Sequence, residues 1–242
     1  SKAFDQQREA RTRELLRAAF EGCFGARDRR VANLRADFGF DPTASQTDLK
    51  VLVNRGGTSW LGVPSYGNGY GFLCGWNGPY WTGPVDGNSL PLDGWGTPIR
   101  LLVGASGYQT QSAGLDKAFG TADDLLYPTA AVPYLAHNAT LTLAVTKSSA
   151  NITGTATLSF VYGTSPSSTT RCTPNLVAAP LVGALAAPAH VVTNTAGTKT
   201  YQFNVPAGAV YLQVVPSTGS FTSVGLALDL LPGESRSLAV TL

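Results

Sequence analysis

Methionine is absent from the 242 residues, and charge, cysteine and histidine are all scarce. A chain that opens on Ser1 and holds no methionine reads as a processed or trimmed product. Only 13% of residues are charged, for a formal net charge of +2. That is too little for an electrostatic grip on nucleic acid, and at 43% hydrophobic residues the chain is too apolar for intrinsic disorder. The one long apolar stretch, residues 176–192, is divided by Pro180 and Pro188, which would break a spanning helix. It reads instead as two short buried strands or a packed loop.

Metal-thiolate and nucleophile chemistry also lack their raw materials. The cysteines are Cys23, Cys74 and Cys172, with no CxxC pair and no histidine at zinc spacing. Three buried thiols, or one disulfide and one thiol, fit equally well; Cys74 and Cys172 are the expected pair if a bridge forms. The two histidines, His137 and His190, accompany no serine elbow or carboxylate pair, and no P-loop or dinucleotide fingerprint is present. A non-enzymatic protein is the expectation.

What charge there is collects at one end. Residues 1–40 hold fifteen of the thirty-two charged side chains, residues 41–130 eleven, and residues 131–242 six. The shift suggests two domains, residues 1–130 and 131–242. Over residues 4–38 the period is helical: Leu16, Phe20 and Phe24 recur every fourth residue, and Val31, Leu34 and Phe38 resume the stripe. Leu15, Ala19 and Cys23 widen this face, so Cys23 is expected to be buried. Arg27 and Asp28 interrupt it beside Gly22 and Gly25, which predicts a kink or loop within residues 22–29. A second helix is expected over residues 44–54, with Leu49, Leu52 and Val53 facing inward.

Residues 58–98 are rich in glycine, proline and aromatics and hold all four tryptophans. Short strands are expected at residues 98–103 and 107–112. After residue 130 the pattern becomes strand and turn: Thr140-Leu-Thr-Leu-Ala-Val-Thr alternates cleanly, and similar runs start at Ala156, Lys199, Val210, Gly225 and Ser237. Pro206-Ala-Gly, Pro216-Ser-Thr-Gly and Pro232-Gly punctuate them. That rhythm predicts an all-β sandwich of immunoglobulin-like or transthyretin-like kind.

Three elements follow one another between residues 76 and 125: Trp76-Asn-Gly-Pro-Tyr, then Asp93-Gly-Trp-Gly-Thr-Pro-Ile, then Ser112-Ala-Gly-Leu-Asp with Asp123-Asp124. Together with the amphipathic segment before them, they resemble the type IV pilin-like proteins, in particular the major pseudopilin of type II secretion, over residues 4–128. The resemblance implies an α+β fold, with a long N-terminal helix packed on a small antiparallel sheet. It implies a structural subunit that assembles with other pilin or pseudopilin subunits in a bacterial cell envelope. It also implies anchorage in the inner membrane by an apolar helical segment preceding Ser1.

Residue chemistry points independently to a cation. Asp116, Asp123 and Asp124 place three carboxylates within nine residues, Gly114 and Gly120 allow the backbone to fold around an ion, and crowded hard oxygens suit Ca²⁺. The same residues also read as an acidic surface loop in which Asp123 caps a turn and Asp124 faces water. The resemblance implies calcium, with side-chain oxygens from Asp116, Asp123 and Asp124 and the backbone carbonyl of Ala113. Ser112 and a carbonyl near Tyr127 are further contributors.

The alternative reading is a minor pilin or adhesin whose sandwich or aromatic loop captures a glycan, a protein or a secreted substrate. Aromatic faces bind apolar sugar surfaces well, and Trp60, Tyr66, Tyr70 and Trp81 are the candidates. Trp76, Tyr80 and Trp95 read as core.

Overall fold

The structure is a computed structural model. It describes residues 2–38, 49–54, 60–61, 74–104, 106–132, 138–147, 156–162, 175–177, 190–192, 197–216 and 224–241. The protein is mixed α+β, with one long N-terminal helix and several small sheets. It divides into two compact units. One comprises Ser1–Asp37, Asp41–Trp60 and Trp76–Ala136; the other comprises Phe38–Phe40, Leu61–Gly75 and His137–Leu242.

Helix α1 (Lys2–Phe24) buries the predicted stripe: Leu16, Ala19, Cys23 and Phe24 are fully enclosed, and Leu15 and Phe20 nearly so. The helix is shorter than the period suggested. Gly25 takes φ +78° and its N–H donates to the Glu21 carbonyl, which ends α1 by a left-handed cap. Residues 27–30 are exposed, and the stripe resumes only in the short helix α2 (Leu34–Phe38). Gly22, inside α1, has a packing role: a Cβ there would lie 2.8 Å from the Tyr80 carbonyl oxygen.

The helix lies on a three-stranded antiparallel sheet, β3 (Arg100–Gly104), β4 (Gly107–Ser112) and β5 (Leu125–Val132), in the order β3-β4-β5. Two shorter strands, β1 (Trp60–Leu61) and β2 (Cys74–Gly75), precede them and pair with each other. The Phe20 ring meets Tyr127 edge-on at 5.7 Å, and Phe24 packs on Tyr108 at 5.0 Å. Buried Thr110 on β4 donates its hydroxyl to the Leu16 carbonyl at 2.9 Å and to the Tyr127 carbonyl at 3.1 Å, pinning helix and sheet together. The helix expected over residues 44–54 is, in its described part, a single 3₁₀ turn over Lys50–Leu52. The Lys50 carbonyl accepts the Val53 and Asn54 N–H groups, and the carbonyls of its other two residues are taken by distant partners. The Trp76 indole N–H donates to Val51 O and the Tyr80 N–H to Leu52 O, so no α-helical continuation is needed to satisfy them.

In the second unit the six expected strands are present: β6 (Asn138–Lys147), β7 (Ala156–Tyr162), β10 (Gly197–Pro206), β11 (Gly208–Pro216), β12 (Val224–Leu230) and β13 (Ser235–Thr241). The divided apolar stretch supplies β8 (Asn175–Val177) and β9 (His190–Val192), both paired with β7. One sheet runs β10-β6-β13, with β13 parallel to β6; the other runs β12-β11-β7-β8. Period-two alternation turns Ala139, Leu141, Leu143 and Val145 inward, where they meet Phe203, Val205, Val210, Leu212, Leu228, Leu230 and Val240 in one core. Strands from both sheets contribute, so the sheets face each other across it. Each fully buried Leu or Phe stabilises by roughly 1.5–3 kcal/mol.

Candidate metal-binding loop

The acidic loop occupies residues 113–124, between β4 and β5. Its entry is clamped by a carboxylate that the sequence pattern did not mark as functional. Asp93, 3% exposed, accepts the N–H groups of Trp95 and Thr97 on Oδ1 and the Ser112 hydroxyl on Oδ2. Gly94 approaches α1 so closely that a Cβ would lie 2.5 Å from the Arg8 carbonyl oxygen, and its N–H donates to Thr12 Oγ1. The Asp-Gly-Trp-Gly-Thr-Pro element thus ties helix, turn and loop entry together. A second tether crosses the sheet. Arg100 on β3 sits opposite Gln111 on β4 and donates Nε–H to its carboxamide oxygen at 2.7 Å; buried Gln111 donates Nε2–H to Asp124 Oδ2 at 2.7 Å. The Arg100 guanidinium also stacks 3.8 Å from the Phe119 ring centroid.

Within the loop each carboxylate accepts hydrogen bonds. Asp116 Oδ1 receives the Ala118 N–H at 2.8 Å, and Asp124 Oδ2 receives the Gly120 N–H at 2.7 Å. Asp123 receives the Asp116 N–H at 3.0 Å and the Thr121 hydroxyl at 2.8 Å, and these donors, the backbone one foremost, hold its carboxyl below the usual range. At Gly114, φ +66°, a Cβ would lie 2.4 Å from the Asp123 carbonyl oxygen, so the loop closes on its own backbone.

Asp116, Asp123 and Asp124 therefore share one loop and one hydrogen-bond network. Among the described residues, no three carboxylate, imidazole or thiol groups already converge as a metal cage. Ser112 stands apart from the expected ligand set: its side chain is fully buried and bonded to Asp93, and its oxygen accepts the Gly114 N–H. The Tyr127 carbonyl is likewise occupied by Thr110. The Ala113 side chain is buried, at the loop entry.

Of the aromatic candidates, Trp81 is corrected to a core residue. It is 5% exposed, its indole N–H donates to Pro84 O, and Gly83 lies against its ring, so no face is open to a sugar. Tyr66 and Tyr70 lie outside the described residues, as does the Trp60 side chain; so do His137, Cys172 and hence any Cys74–Cys172 bridge. Trp76 and Tyr80 pack edge-on at 5.6 Å, and the Tyr80 hydroxyl accepts the Asn77 N–H and donates to Asp37 at 2.6 Å. Burial pushes the Asp37 carboxyl up to about 6, against a smaller downward pull from the Tyr80 hydrogen bond.

No protein-family model matches the chain, and no curated protein or solved structure is similar to it at a significant level. No helix among the described residues is long and apolar enough to cross a membrane.

Proposed function

We propose that this chain is the globular part of a pilin-like filament subunit, of the type II secretion pseudopilin kind, and that its acidic loop holds Ca²⁺. The supporting observation is the placement of the three sequence elements around one helix. The Trp76-Asn-Gly-Pro-Tyr and Asp93-Gly-Trp-Gly-Thr-Pro elements clamp α1 and the 3₁₀ turn, and the carboxylate loop is inserted between β4 and β5 of the sheet that α1 covers. In this reading Asp116, Asp123, Asp124 and the Ala113 carbonyl hold the ion. Calcium supplies charge neutralisation, and the Asp93 and Gln111 tethers pre-orient the loop that receives it. The second unit is an immunoglobulin-like or transthyretin-like accessory sandwich, and the subunit acts in the cell envelope with other subunits as partners.

The coding sequence before Ser1 tests the assignment. It should encode a short basic leader, a Gly or Ala before a Phe, and an apolar run of about 20 residues. A globular domain or a plain translation start in that position would overturn it.

A further inference from the structure

Six large hydrophobic side chains are exposed among the described residues, and three of them belong to the acidic loop or to the first turn of α1. Leu115 is 55% exposed and Phe119 37%, four residues apart on the loop; Phe4, at 66%, lies in the helical turn. A cleft of about 450 Å³ brings that turn and the loop together, with Lys2 and Asp5 on its helix side and Leu115 and Asp123 on its loop side. Exposed Lys117 stands between Leu115 and Phe119. The backbone that carries these side chains is pinned. Asp123 accepts the Asp116 N–H, Asp116 accepts the Ala118 N–H, and Asp124 accepts the Gly120 N–H. Lys117 takes φ +60°, a left-handed conformation uncommon outside glycine, and so turns the chain between the two apolar residues. The Arg100 guanidinium lies 3.8 Å from the Phe119 ring centroid and holds that ring in place. Apolar side chains held out in water on an ordered turn, beside cations, mark a surface that docks.

We propose that the loop tip, with Leu115, Lys117 and Phe119, is a calcium-dependent docking surface for an anionic phospholipid membrane. Leu115 and Phe119 enter the boundary between headgroups and acyl chains, and Lys117 stays at the level of the phosphates. Residues 115–122 form an unbroken exposed run, so the tip offers side chains to a fluid apolar layer rather than a groove to a fixed partner. Charge sets the calcium dependence. Residues 113–124 carry three aspartates against one lysine, which opposes approach to an anionic surface. One divalent cation brings that sum to zero and leaves the apolar and basic side chains to act. On the opening turns of α1, Lys2 and Arg8 already offset Asp5 and Glu9. The calcium dependence rests on the loop holding the ion; the exposed apolar tip itself does not. In the filament-subunit reading the membrane lies beyond Ser1, the end of α1 that shares the cleft with the loop. Docking is made by the globular unit and needs no anchor segment, so the 242-residue chain suffices to test it.

Vesicle flotation, paired with calcium calorimetry on the protein alone, tests the proposal. Phosphatidylcholine vesicles containing about one-third phosphatidylglycerol should carry the chain upward in millimolar calcium, and either chelator or pure phosphatidylcholine should cut the bound fraction at least about fivefold. Leu115→Ser with Phe119→Ser should weaken vesicle binding at least about tenfold while the heat of calcium binding remains. Lys117→Asn should weaken it about fivefold, since asparagine tolerates the left-handed backbone and only the charge is lost. Leu226→Ser, at an exposed apolar position on β12 of the other unit, should leave flotation unchanged. Circular dichroism should show every variant folded, all four side chains being exposed. No flotation in calcium, flotation indifferent to chelator, or a double variant that floats like the wild type would each overturn the docking surface. Calcium-dependent self-association without vesicles, lost in the double variant, would overturn it in favour of a protein contact. Calcium heat without flotation defeats the docking and leaves the calcium reading intact; absence of calcium heat defeats that reading and the proposal with it.

Discussion

The two units reach stability by different routes. In the β unit, eleven buried hydrophobic residues on five strands form one core, and long unbroken ladders such as β6 with β10 fix the register. The helix–sheet unit has a hydrophobic stripe too, but its loops are placed by buried polar groups: Asp93 on Trp95, Thr97 and Ser112; Thr110 on Leu16; Tyr80 on Asp37. Alternating hydrophobicity is sufficient to build facing sheets. Holding an irregular acidic loop in a defined shape requires directed hydrogen bonds, because a loop has no ladder to satisfy its backbone.

The sharpest way to break this comparison is to damage one route and watch the other. Phe203→Ala should cost about 4 kcal/mol in the β unit through the cavity it leaves. All four tryptophans lie within residues 60–95, so tryptophan fluorescence reports on the helix–sheet unit, and its melting transition should stay in place while the calorimetric profile shifts. A matching shift in fluorescence would show that the two units unfold together. Asp93→Ala should do the reverse at a cost of about 3 kcal/mol, since it leaves two N–H groups and a hydroxyl without their acceptor. Here the fluorescence transition should fall and the loop at residues 113–124 should become open to protease.

Asp37 gives the comparison a pH dependence. Its folded pKa, about 6, lies above its ordinary value of 3.8, so the protonated form is the one that folding favours. Its contribution is fully present below pH 3.8, is lost as pH rises towards 6, and stays lost above that. The full difference is at most roughly 3 kcal/mol, less because the residue is only partly buried. Asp37→Asn should therefore raise stability at pH 7.5 and flatten its pH profile in the fluorescence-detected transition, with the β unit unaffected. The smallest effect is expected at the surface of α1, where Arg13→Ala removes an exposed ion pair and should change stability by no more than about 0.5 kcal/mol in urea unfolding.

Period carried most of what the sequence disclosed. The α1 stripe and the β6 alternation were legible because burial follows 3.6 and 2 directly, and all six predicted strands of the β unit are found. The end of α1 at Gly25 was legible only as a weak spot, since a glycine becomes a cap through its backbone angle, not its identity. Leu49, Leu52 and Val53 suggested a helix, but Leu49 has φ +59° and the Val51 and Leu52 carbonyls go to Trp76 and Tyr80, contacts more than twenty residues away. The loop carboxylates stood out by crowding. Asp93 and Gln111 did not, because their partners lie across a turn or a sheet, and only register brings Arg100 opposite Gln111. Trp81 looked available among surplus aromatics, and its burial shows only in the folded chain, with its indole N–H on the Pro84 carbonyl and Gly83 against its ring.

Calcium titration followed by thermal melting, read by tryptophan fluorescence, tests the central claim most directly. Heat of binding should appear in calorimetry, and stability should rise as RT ln(1 + [Ca²⁺]/Kd), about 2.7 kcal/mol at a hundredfold excess over Kd. Chelator should reverse the gain and expose residues 113–124 to protease, and Asp116→Ala or Asp124→Ala should abolish it. No heat at millimolar calcium, together with a melting curve that ignores chelator, would show that the three carboxylates are held by their own loop donors and serve no cation.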